Sequence, residues 1–174
     1  MKRRLILFRH GKSDWDGDIE ADHDRPLAGR GRKAAKRMGK LLARSGQTPD
    51  LAVTSTALRA RATVEQAAKA GDWSCAIVED RALYDTEPGA VLERIRSTDD
   101  AVGTLLLAGH EPTWSDLASL LIGGGNIRFP TAAMARIDFL ARSWKDVRPG
   151  EGELVWLLQP RFFTDTDEDE DESR

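Results

Sequence analysis

Leu5–Trp15 reads LILFRHGKSDW. Four apolar residues, Leu5 to Phe8, are followed at once by Arg9, His10 and Gly11. A run this short and apolar predicts a buried strand. Such a strand has no packing reason to end on two strongly hydrogen-bonding side chains, so Arg9 and His10 must be wanted at its tip.

The segments that follow alternate in kind. GRGRKAAKRMGKLLARSG carries Ala34, Ala35, Met38, Leu41 and Leu42 at helical spacing and stops at Gly46. Asp50–Ser55, DLAVTS, is a second strand, and TALRARATVEQAAKAG a second helix with Ser55 or Thr56 available as its cap. SCAIVED is a third strand and PGAVLERIRS a third helix opened by Pro88. TLLLAGH is an apolar strand ending at His110, and EPTWSDLASLLIGGG a helix with Pro112 in its first turn and glycines at its end. AAMARIDFLA and GELVWLLQP complete the set as strands. Strands alternating with helices predict an α/β fold: three layers, α/β/α, around a mostly parallel central sheet.

At 174 residues the chain suits one domain, predicted over residues 1–163, with no internal repeat and no linker inside it. Charges interrupt every apolar run, so no membrane span is expected. MKRRLILFRHG begins like a signal peptide, but its apolar part is too short and no small-residue cleavage site follows. Cys75 is the single cysteine, which excludes an intrachain disulfide. In SCAIVED it reads as a buried strand residue rather than a reactive thiol, and a reducing cytoplasm fits this usage. The formal charge of −3 is set by the last eleven residues, TDTDEDEDESR, which hold seven acids and one arginine. Without them 25 basic residues face 22 acidic ones. Residues 164–174 are expected to form a disordered, solvated tail, because so charged a run cannot bury a core and repels itself.

In parallel sheets, ligands bind beyond the carboxyl ends of the strands. At those ends the first strand delivers Arg9 and His10, and the TLLLAGH strand delivers His110. The second delivers Ser55, with Arg59 and Arg61 in the first turns of the helix behind it. Two of the three histidines thus share one sheet edge with arginines from two strand ends. Guanidinium forks and a helix N-terminus suit a tetrahedral dianion, that is, phosphate. A neutral imidazole among them can attack phosphorus and carry the group as a phosphoenzyme. The surrounding cations should keep that imidazole neutral and should also neutralise the transition state. No metal is needed where cationic groups perform that task.

FRHGKSDW, DHDRPL, VTSTALRARAT and LLLAGHEPT, in that order, resemble the signature of the histidine phosphatase superfamily, whose fold is phosphoglycerate-mutase-like. The compact length, the HGKSDW variant, the DHDRPLxxxG block and the late SW…PGEGELVWLLQP segment are similar to its small SixA-type phosphohistidine phosphatase branch. The resemblance covers roughly residues 3 to 161. It implies that His10 is the phosphorylated nucleophile and that Arg9, Arg59 and His110 form a phosphate clamp. Gly11 would let the backbone turn tightly beside the phosphate. Ser13 stands where relatives place a hydroxyl near the phosphate, or else caps its loop. Arg25 either reaches the rim of the site or pairs with Asp22 or Asp24. His23 reads as a loop residue, and Arg61, two positions from Arg59, as solvent-facing.

Larger relatives carry a glutamate general acid before the last catalytic strand. Here YDTEPGA offers Asp85 and Glu87 as possible general acids, and neither matches that pattern well. A hydroxyl leaving group needs a proton in the transition state. A protonated imidazole departs from phosphorus more readily, so a weak or missing acid suits a phosphohistidine substrate. The reading is therefore a metal-independent, cofactor-free phosphatase acting through phospho-His10 on a phosphorylated protein. The alternatives are a broader phosphomonoesterase for small metabolites, phosphoserine or phosphothreonine, and a catalytically idle phosphate- or partner-binding module. No HExxH or CxxC suggests a metal site, GGGNIRF follows a helix rather than a strand, and scattered basic residues give no nucleic-acid platform.

Overall fold

The computed structural model of the chain describes residues 2–163. The acidic run 164–174, expected to be disordered, lies outside the described residues. The LILF run forms the middle of strand β1 (Arg3–Arg9), and all four side chains are fully buried. They can be, because β1 is an inner strand. With β2 (Leu51–Thr54), β3 (Ala76–Glu79), β4 (Thr104–Gly109), β5 (Met134–Phe139) and β6 (Glu153–Leu158) it makes one sheet in the order β3-β2-β4-β1-β5-β6. The first four strands run parallel; β5 is antiparallel to β1, and β6 to β5.

The period of two along a strand sorts β1 between two cores. Leu5 and Leu7 face helices α3 (Pro88–Arg96) and α4 (Thr113–Ile122), packing with Val91, Ile95, Trp114 and Leu117. Ile6 and Phe8 face α1 (Gly29–Arg44) and α2 (Leu58–Ala70), packing with Met38, Leu42 and Val64. Helices on both faces of a mostly parallel sheet give the three-layer α/β/α architecture expected from the order of segments. Helix α1 buries Ala35, Met38 and Leu42 of its predicted stripe, and Gly46, at φ +68°, turns the chain out of it. Among the described residues no helix is long and apolar enough to cross a membrane.

Two local expectations are corrected. Cys75 precedes β3 instead of lying in it and is only half-buried. β3 is the outermost strand and all four of its residues are exposed, so a run that looks like core carries Ile77 and Val78 on the surface. Burial pushes the Cys75 thiol pKa up, which disfavours the thiolate. The cap of α2 is Ala57, with no side-chain bond, rather than Ser55 or Thr56. Both hydroxyls are instead engaged by histidines: Ser55 Oγ lies 2.7 Å from His110 Nε2, and Thr56 Oγ1 lies 2.8 Å from His23 Nε2.

Candidate active site

Three adjacent strands end at one level. Phe8 of β1 and Thr54 of β2 both pair with Ala108 of β4. The residues just past this row, Arg9 and His10, Ser55, and Gly109 and His110, therefore emerge together. Backbone bonds hold the tips, from His10 N–H to the Gly109 carbonyl (3.1 Å) and from Ser55 N–H to the Ala108 carbonyl (2.9 Å). The His10 and His110 ring centres are 5.2 Å apart, tilted by 50°.

Arg9, His10, Arg59 and His110 line one cleft of about 260 Å³, joined by Ser13 and Arg25. His10 is 8% exposed and Arg59 5%. His10 Nδ1 is 2.7 Å from the Gly11 carbonyl. A carbonyl only accepts, so Nδ1 carries the ring proton and Nε2 keeps its lone pair. Burial, followed by the nearby His110, Arg59 and Arg9, lowers the His10 pKa from 6.5 to about 3, against the opposing pull of the Gly11 bond. The same kind of environment, burial first and then Arg59, takes His110 to about 4. Both imidazoles are thus neutral at neutral pH.

The arginines are held from behind. Arg9 Nη1 donates to the Phe129 carbonyl (2.9 Å). Arg59 donates through Nη1 to the Asp22 carbonyl (2.8 Å) and through Nη2 to Asp22 Oδ2 (3.0 Å). Arg25 pairs with the other oxygen, Asp22 Oδ1, at 2.7 Å, and also donates to the Ser13 hydroxyl. So of the two roles open to Arg25, it fills both, lining the cleft and pairing with Asp22. Tyr84 adds a third donor to the Asp22 carboxylate, at 3.0 Å from Oδ2. Burial alone would raise the Asp22 pKa; the bond from Arg25, the charge of Arg59 and the Tyr84 hydroxyl override it and hold the carboxyl at about 2.

Five buried side-chain nitrogens among the described residues have no hydrogen-bond partner in the protein, and four belong to Arg9, Arg25, Arg59 and His110. Buried polar groups are normally paired. These four belong to side chains that line one cleft.

Gly11 lies buried beneath this cleft, and the reason for glycine there differs from the expected tight turn. Its φ is not in the left-handed region; a Cβ would instead stand 2.8 Å from the Gly31 carbonyl oxygen at the start of α1. The Gly11 N–H donates to Thr63 Oγ1 (2.9 Å), and Thr63 donates to the Arg59 carbonyl (2.7 Å), tying the loop after β1 to α2. Asp85 and Glu87 are exposed and neither lines the cleft. The acid that does line it is Glu111, whose two oxygens accept from Ser115 N–H and Ser115 Oγ, both at 2.7 Å. Arg61 points away, pairing with Glu79 at 2.9 Å. His23 sits in a short 3₁₀ turn, edge-on to the Tyr84 ring at 4.8 Å.

Sequence reasoning missed Thr63, Tyr84 and Glu111, and also Trp15, which lines the cleft with its ring centre 3.6 Å from the Arg25 guanidinium carbon. Thr63 was findable, being four residues from Arg59 and so on the same helix face. Glu111 follows His110 directly. Tyr84 carried no signal, because only the fold brings its loop beside Asp22 and His110. Among the described residues, no group of three or more His, Cys, Asp or Glu is gathered so that it could hold a metal ion.

A cleft at the carboxyl edge of an α/β/α sheet, lined by two histidines and three arginines, has the chemistry to receive an oxyanion such as a phosphoryl group. The comparisons go further. Residues 5–104 match the family model of histidine phosphatase superfamily, branch 1, a span that includes Arg9, His10 and Arg59 and stops short of His110. An uncharacterized protein of Mycobacterium tuberculosis is 41% identical over 164 residues, covering 88% of this chain and all of the relative. A protein assigned as phosphohistidine phosphatase SixA in Nakamurella multipartitia superposes with a TM-score of 0.78 at 26% identity, over 92% of this chain and 97% of its own. Another so assigned, from Agrobacterium tumefaciens, gives 0.76 at 28% identity, over 91% and 98%. The chain belongs to the histidine phosphatase superfamily and has its phosphoglycerate-mutase-like fold.

Proposed function

We propose that this chain removes the phosphoryl group from phosphohistidine on another protein, by way of a transient phosphate on His10. The observation that carries the reading is the joining, in one cleft, of a neutral His10 tethered through Nδ1 with the guanidinium groups of Arg9, Arg25 and Arg59. The Nε2 lone pair of His10 attacks phosphorus, the P–N bond to the substrate breaks, and its electrons return to the departing ring. Protonated on its other nitrogen, that ring leaves as neutral imidazole. Water then adds to phosphorus, the bond to His10 Nε2 breaks, and phosphate is released. The arginines counter the charge on the equatorial oxygens throughout, in a cleft where burial strengthens each contact.

His110 serves as a further donor in this scheme. Ser55 Oγ accepts the Ala57 N–H at 3.2 Å, which frees its own proton to bond His110 Nε2. In that tautomer the His110 proton sits on Nδ1, a buried nitrogen with no partner in the protein, which a phosphoryl oxygen would satisfy. An N–P substrate is favoured because the one carboxylate lining the cleft among the described residues, Glu111, has both oxygens engaged by Ser115. The solved SixA-assigned relatives support the same substrate class.

The test has two parts. Rapid quench with labelled phosphohistidine should leave an acid-labile phosphate on His10, absent in a folded His10→Ala variant. Turnover of phosphohistidine should exceed that of alkyl phosphate esters. Faster ester hydrolysis that is lost in Glu111→Gln would favour the broader phosphomonoesterase instead.

A further inference from the structure

Beside the catalytic cleft lies a second, wider groove of about 380 Å³, which shares Lys12 and Thr131 with it. Arg30, Arg128 and Arg161 also line it, and among the described residues no acidic one does. These four cations come from the loop after β1, the first turn of α1, the segment before β5, and the turn after β6. All four are exposed, and among the described residues none has a carboxylate within ion-pair distance. Arg61, Arg94, Arg96 and Arg136, by contrast, each have an acidic partner. Gathering four unpaired like charges around one groove is unfavourable unless something anionic is received there.

We propose that this groove binds an acidic segment of the phosphorylated partner protein, next to the histidine whose phosphoryl group enters the cleft. The proposal rests on the phosphohistidine reading for its catalytic consequence, and on the groove alone for binding. A single small dianion would call for buried, preorganised forks like that of Arg59. Four long exposed side chains along an open groove suit several carboxylates spread over a polypeptide. Lys12 and Thr131, common to both depressions, would put the nearest carboxylate within a few residues of the phosphorylated ring.

The test compares two peptides built around one central histidine, flanked either by Asp and Glu or by Asn and Gln. In direct titration of the full chain, the unphosphorylated acidic peptide should bind at least about tenfold tighter than the neutral one, with a steep salt dependence. The triple variant Arg30→Glu/Arg128→Glu/Arg161→Glu should abolish that difference. With the peptides phosphorylated, the same variant should lose kcat/KM for the acidic peptide alone, leaving free phosphohistidine unchanged. Equal binding of both peptides to the full chain, or an acidic preference that survives the triple variant, overturns the proposal. Acidic-peptide binding that appears only after the seven carboxylates of residues 165–172 are changed to amides assigns the groove to the chain's own end and overturns it too. Selective binding without any turnover of phosphohistidine would sink the catalytic reading and leave the groove standing.

Discussion

Arg59 meets Asp22 twice: its Nη1 donates to the Asp22 backbone carbonyl at 2.8 Å and its Nη2 to the carboxylate at 3.0 Å. The same carboxylate takes Arg25 on its other oxygen. One half-exposed aspartate thus aligns two of the three cleft arginines and also offsets part of their charge. Asp22→Asn keeps an acceptor and removes the charge. It should tighten inhibition by inorganic phosphate by roughly two- to fivefold, the scale of a single exposed charge pair. Asp22→Ala removes the alignment too and should lower kcat. Competition by phosphate in the two variants separates these effects; identical behaviour of Asn and Ala would show that charge, not alignment, is what Asp22 supplies.

Ser55 is the only described hydrogen-bond partner of the His110 ring. Partners that orient a metal-bound imidazole contribute about 10- to 100-fold, and an orienting bond to His110 is expected to act on a similar scale. Ser55→Ala should accordingly lower kcat by about tenfold while KM moves little, because the arginines that bind phosphate are untouched. Steady-state kinetics on phosphohistidine check this, and an effect confined to KM would argue that His110 needs no orienting partner.

The two histidines also make stability depend on pH. Their pKa values fall from 6.5 in the unfolded chain to about 3 for His10 and about 4 for His110. Between those limits the unfolded state binds protons that the folded state refuses. The stability is therefore complete above about pH 6.5 and is lost as pH falls through the window down to about 4 and then 3. Asp22, held at about 2 instead of 3.8, extends the loss to lower pH. Melting temperature should drop as the pH is lowered from about 7 to 4, and the slope should flatten in His10→Ala/His110→Ala. An unchanged slope in the double variant would mean the rings titrate normally.

Gly31→Ala should be among the costliest small substitutions. The new Cβ would lie 2.2 Å from the Lys12 carbonyl oxygen and 2.8 Å from its nitrogen. Backbone on both sides cannot yield cheaply, so the loss should reach about 1–3 kcal/mol or more. Turnover should fall as well, since the displaced loop joins His10 to Ser13. Gly29→Ala, two residues earlier in the same helix, has no atom nearer than 3.8 Å and should be neutral or mildly stabilising. Thermal melts of the pair check the contrast; a comparable loss at both positions would rule out the contact as its cause.

Much of the fold was legible along the chain because its signals are local. LILF and LLLA are continuous apolar runs of the kind that strands buried on both faces carry, and both proved central. The alternation of strands with helices implied a parallel sheet, and the carboxyl-edge rule then placed Arg9, His10, Arg59 and His110 at one end of it. SCAIVED misled because a strand's apolar content does not say whether it is inner or outer. That is decided by strand order, and β3 came out at the edge.

The chain alone determined which chemical groups arrive at the sheet edge, since residue type and position at a strand's end follow from local patterning. Only the tertiary structure decided how they are poised: Asp22 between two arginines, Ser55 on His110 rather than on its own helix, Glu111 and not Asp85 or Glu87 beside the cleft. The Ser55–His110 contact alone joins residues 55 positions apart. They depend on distances of a few tenths of an ångström and on loss of water around the imidazoles, and neither is set by local pattern.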